Sequence, residues 1–137
     1  MSRSLVAVLA TTFLAAALVV PGAASAKTVT FKMTENNTKP ATPPDYVVEE
    51  KTCKVSGTLG SGRCHSKTTP PKTVGGWKLK GGTIKYTFTT TLSGTVASGK
   101  GKITGGTGKF AGARGTFTVR GDILGKFPFV MKGTAKY

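Results

Sequence analysis

The sequence predicts an all-β domain, a single antiparallel β-barrel, behind a cleaved signal peptide. Apolar and polar residues alternate by twos through much of residues 27–137, glycine-containing turn pairs recur at strand-length spacing, and residues 1–26 have the order of an export signal.

The export signal comes first in the chain. Arg3 gives a short basic start, the run from Leu5 to Val20 is apolar, Pro21-Gly22 breaks it, and Ala24 and Ala26 flank Ser25 as a peptidase requires. A spanning helix needs about 20 apolar residues, which this run does not reach. The expectation is cleavage after about Ala26, one domain over residues 27–137, a secreted product and no membrane span.

Within that domain Val29, Phe31 and Met33 share one parity, and Thr28, Thr30, Lys32 and Thr34 the other. Ile84, Tyr86, Phe88 and Leu92 stand in the same relation to Thr83, Lys85, Thr87, Thr89 and Thr91. Phe117 and Val119 oppose Thr116, Thr118 and Arg120, and Phe127, Phe129 and Met131 oppose Lys126, Val130 and Lys132. Each run reads as a half-buried strand with its apolar side inward. Pro128 lies inside the last pattern and cannot donate to a ladder, which predicts an edge or a bulge there.

The turn signals are Gly75-Gly76, Gly81-Gly82, Ser98-Gly99, Gly105-Gly106 and Gly121-Asp122. Their rhythm predicts a meander, closed into a barrel in preference to a sandwich because few residues are available to protect open edges. Glu35 to Glu50, with Pro40, Pro43 and Pro44, reads as a long loop, and Thr68 to Val74, with Pro70 and Pro71, as a shorter one.

Cys53 and Cys64 are the two cysteines of an exported chain, so oxidation pairs them. Gly57, Gly60 and Gly62 between them suit a hairpin that sets the sulfurs opposite one another.

The formal charge of +15 falls to +14 when Arg3 leaves with the signal, and the acids are few: Glu35, Asp45, Glu49, Glu50 and Asp122. This imbalance favours polyanionic partners, and equally serves as a solvated, solubilising surface.

Candidate chemistry is sparse. His65 stands without companion ligands once both sulfurs are oxidised, so no metal site is predicted. Gly105-Gly106-Thr107-Gly108-Lys109-Phe110 lacks the hydroxyl residue after its lysine and the first glycine of a phosphate cradle. Arg120-Gly121-Asp122 spells an adhesive tripeptide but also suits a tight turn. Asn36-Asn37-Thr38 has the form of a glycosylation sequon. Adjacent Glu49 and Glu50 would point to opposite faces of a strand and could not flank one bond. The aromatic residues share the inward parity and the lysines the outward one, unlike the exposed rings of a nucleic-acid platform.

The segment Ile103 to Phe117, ITGGTGKFAGARGTF, resembles the signature of the allene oxide cyclase and dirigent barrel superfamily at Gly105, Gly106, Thr107, Gly108, Phe110, Ala113, Arg114 and Gly115. Glycines there permit positive φ and close approach at a strand junction, and Phe110 can plug the barrel end. The resemblance implies a barrel of about eight antiparallel strands with an apolar cavity. Its members cyclise an unstable oxylipin or orient radicals for coupling, and are often oligomeric. Arg114 is the one charged residue carried onto the pattern, either as a ligand-binding group or as a brace for the turn.

Two functions are therefore expected from the sequence. One is a secreted, basic, non-catalytic barrel, without cofactor, that holds a small apolar ligand or associates with an anionic cell-envelope polymer. The other is a dirigent-like or cyclase-like protein acting on a reactive apolar substrate.

Overall fold

The computed structural model describes residues 26–37 and 49–137. The signal segment up to residue 25, the segment 38–48 and the side chains of Asn37, Glu49, Glu50 and Lys51 lie outside the described part. Thr38 of the sequon and most of the proline-rich loop fall there too, while Asn36 and Asn37 are within β1.

Eight strands follow one another: β1 (Thr28–Asn37), β2 (Glu49–Gly57), β3 (Gly60–Thr69), β4 (Lys72–Leu79), β5 (Gly82–Ser93), β6 (Val96–Gly106), β7 (Arg114–Asp122) and β8 (Phe129–Lys136). Each pairs antiparallel with the next, and β1 pairs with β8, so the sheet is a closed up-and-down barrel. Closure removes the open edges that a meander of this size would expose.

The parity reading holds for the core. Phe31, Met33, Ile84, Tyr86, Phe88, Phe117, Val119, Phe129 and Met131 are all buried, joined by Trp77, Val55 and Ile103. Leu92 and Phe127 differ: Leu92 is 59% exposed, because β5 runs past the packed layer before turning into β6, and Phe127 precedes β8 and is only half-buried, outside the core.

Several boundaries also differ from expectation. Glu35, Asn36 and Asn37 are not loop but the last residues of β1, paired with Val55, Lys54 and Cys53. Glu49 and Glu50 likewise open β2 opposite Thr68 and Lys67. The second proline loop shrinks to Pro70-Pro71, between Thr69 and Lys72.

Gly75-Gly76 lies in the middle of β4, not in a turn. A Cβ on Gly75 would meet the Tyr86 hydroxyl, Ser66 and the His65 carbonyl, so the glycine marks close approach inside the barrel. Ser98-Gly99 is mid-strand in β6, and the turn before it falls at Gly94-Thr95. Pro128 is at neither edge nor bulge: it precedes β8, whose ladder begins at Phe129, so no donor is lost. The register shift lies elsewhere, between Lys85 and Tyr86 on β5.

Candidate functional site

The chain order of the strands divides the barrel into two ends. One carries the β2–β3 and β4–β5 turns, the β6–β7 connection and the meeting of Lys27 with Tyr137, which exchange backbone hydrogen bonds. The glycine-rich segment sits at this end. Thr107 N–H donates to the Thr83 carbonyl and Lys109 N–H to the Gly81 carbonyl, both at 2.9 Å, docking the connection onto the β4–β5 hairpin.

Gly108 takes φ +61° at the start of a short 3-10 turn, Gly108–Phe110, which a residue with a Cβ would strain to adopt. Phe110 is fully buried against the Tyr137 ring, centroids 4.9 Å apart, and joins the core cluster at that end. Gly105 has only the Arg114 guanidinium near its missing Cβ, whereas Gly106 lies against the Phe110 and Thr83 carbonyls.

Arg114 opens β7 on the outer face, exposed, opposite Lys136, and its Nη1 donates to the Ala113 carbonyl at 2.7 Å. Any ligand it met would meet it outside the barrel.

The interior is crossed by aromatic rings. Phe31 on β1 packs edge-on to Trp77 on β4 (6.0 Å) and Phe117 on β7 (6.3 Å), and Phe117 reaches Tyr86 (6.1 Å) and Phe88 (6.2 Å) on β5. Rings from non-adjacent strands thus meet across the lumen.

A carboxylate sits among them. Glu35, placed inward by the parity of Phe31 and Met33, accepts hydrogen bonds on Oε1 from Trp77 Nε1 and Tyr86 Oη, each at 2.7 Å. Burial raises the Tyr86 hydroxyl well above its usual 10.0, the Glu35 charge and hydrogen bond add to this, and a hydrogen bond with Ser66 opposes them.

The Cys53–Cys64 disulfide lies beside Glu35 and joins directly opposed residues of β2 and β3. The Glu35 carboxylate and the two sulfurs cluster within 4.8 Å, but sulfurs bonded to each other are not thiolate ligands. His65, next in sequence, is exposed on the outer face and takes no part in this cluster.

The exterior has a different character. The acids among the described side chains, Glu35 and Asp122, are both buried. The outward positions carry cations set directly against one another: Lys54, Arg63 and Lys78 on β2, β3 and β4; Lys32 and Lys132 on β1 and β8; Arg114 and Lys136 on β7 and β8. All are exposed. Neighbouring strands lie about 4.8 Å apart, and like charges directly opposite destabilise a sheet. No helix among the described residues is long and apolar enough to cross a membrane. Comparison with protein-family models, with curated proteins and with solved structures found no match.

Proposed function

We propose that the protein is a secreted, non-catalytic barrel that acts through its basic exterior by associating with an anionic polymer of the cell envelope. The observation that carries this is the outward cross-strand pairing of cation with cation while both described acids are buried. Such pairs cost stability in the isolated protein, and a polyanion laid over them removes that cost.

The alternatives both require interior space. A small apolar ligand, or the reactive apolar substrate that the Gly105–Gly115 resemblance implies, would compete with Phe31, Trp77, Tyr86, Phe88 and Phe117 for the lumen. The motif itself has a structural occupation here, closing one barrel end through Gly108 and Phe110. A likeness at a turn is in any case an argument about fold more than about chemistry.

The test is titration of the exported protein with carboxymethyl-dextran and with uncharged dextran across a salt series. Binding to the charged polymer alone, weakening steeply with salt, is the expected result. Equal behaviour toward both polymers, or no binding at low salt, sinks the reading.

A further inference from the structure

The cations of the exterior are not evenly useful, because one group of them lines a groove. On the face of β6, β7, β8 and β1 a groove of about 680 Å³ is lined by Lys32, Lys100, Arg120 and Lys132, with Phe127 and Pro128 toward one end. A second, of about 650 Å³, continues along β6, β7 and β8 and shares Lys100, Thr118 and Lys132. The Lys54, Arg63 and Lys78 ladder lines neither.

Register sets the spacing. Lys132 lies opposite Thr118, which lies opposite Lys100, so two cations flank a threonine across three strands. Two strand steps put Lys132 and Lys100 about 10 Å apart, with Lys32 one further step beyond Lys132. Cations thus crowd this face with threonine hydroxyls between and beside them, a lining that suits the carboxylates and hydroxyls of an anionic polysaccharide.

The groove's end adds a second feature. The Arg120 guanidinium lies over the Phe127 ring, 5.5 Å from its centroid, beside Pro128. A held cation next to half-buried apolar surface suits the mixed face of a sugar, whose C–H side packs on carbon while its charged substituent meets the guanidinium. Single-stranded nucleic acid asks for something else, a succession of exposed rings on which bases stack. Of the two rings lining the grooves, Phe117 is buried in the core and Arg120 already lies over Phe127.

We infer that the groove on β6, β7, β8 and β1 binds an anionic polysaccharide. This rests on the polyanion reading above and names the face and the class of polymer.

The experiment measures binding of a hyaluronate oligosaccharide, whose charged and neutral sugars alternate, and of an oligothymidylate of matched charge, by the exported protein and two double variants. Lys100→Gln/Lys132→Gln removes groove cations, and Lys54→Gln/Lys78→Gln removes the same charge from the ladder outside it. The exposed positions of all four leave folding intact, which a melting curve verifies. The groove variant is expected to lose about tenfold in hyaluronate affinity and the ladder variant less than about twofold. Equal losses in the two variants, with wild-type binding intact, overturn the groove but leave polyanion association standing. Tighter binding of the oligothymidylate overturns the polymer class. Absence of binding to hyaluronate and to carboxymethyl-dextran alike at low salt overturns both readings.

Discussion

Glu35 and Tyr86 are 51 residues apart in the chain and 2.7 Å apart across the barrel interior, where one carboxyl oxygen serves both the Tyr86 hydroxyl and the Trp77 indole N–H. Three strands, β1, β4 and β5, are tied by this one acceptor.

Removing the acceptor leaves two buried donors unsatisfied, each worth about 1–3 kcal/mol. Glu35→Leu is therefore expected to cost more than about 2 kcal/mol, and Glu35→Gln, which keeps a carbonyl oxygen in place, less than half as much. Denaturant unfolding of the two variants decides it, and equal costs would mean that the hydrogen bonds are not what holds Glu35 inward.

The raised Tyr86 hydroxyl makes stability fall at alkaline pH. In the unfolded chain Tyr86 loses its proton near 10.0, whereas in the folded barrel it keeps it, so the unfolded state binds fewer protons above that pH. The contribution is complete below pH 10 and drains away as pH rises toward the folded value, at about 1.4 kcal/mol per pH unit. Unfolding free energies from about pH 9 to about pH 11 should drop more steeply in the wild type than in Tyr86→Phe, lysine titration being common to both. Parallel curves would contradict this.

The disulfide closes a loop with a sequence separation of 11, which the chain-entropy account values at about 3 kcal/mol. The Cys53→Ala/Cys64→Ala protein is expected to be destabilised by about that much. Native exported protein should show no alkylatable thiol by intact mass, and two labelled thiols would refute the pairing in solution.

Two glycines of one motif should behave oppositely. Gly108→Val forces a β-branched residue to φ +61° against the Gly81 carbonyl and is expected to cost more than about 1 kcal/mol. Gly105→Ala meets only the Arg114 guanidinium at 3.6 Å and should cost less than about 0.5 kcal/mol. Comparable melting-temperature shifts in the two would remove the conformational argument.

Parity can be tested directly on β5. Phe88→Ala is expected to cost about 3–5 kcal/mol and Thr89→Ala, on the exposed side, under about 1. Thermal unfolding of both measures the difference, and similar losses would mean that the register is wrong.

What was legible in the sequence follows from the same parity. Strands β1, β5 and β7 announce themselves because bulky residues such as Phe31, Tyr86 and Phe117 occupy inward positions. β3 and the first half of β4 do not, since the inward places hold Cys64, Ser66, Thr73 and Gly75, small or polar residues that leave room for Tyr86 and its partners, and only Trp77 and Leu79 near the end of β4 are bulky. Glu35 was within reach: it continues the inward parity of Phe31 and Met33, and the prolines that follow obscured it. Its partners Trp77 and Tyr86 come from strands that only the closed topology brings round, as does the groove, whose lysines belong to three strands separated in the chain by most of its length.

Closure also imposes an order in time. Thr28 pairs with Lys136, so the first strand made waits for the last. Until β8 is made the ring cannot shut, and β1 has β2 on one side and nothing on the other. A chain built this way leaves its interior reachable until β8 arrives between β7 and β1. An up-and-down sheet that finished at β7 would keep two unsatisfied margins for good.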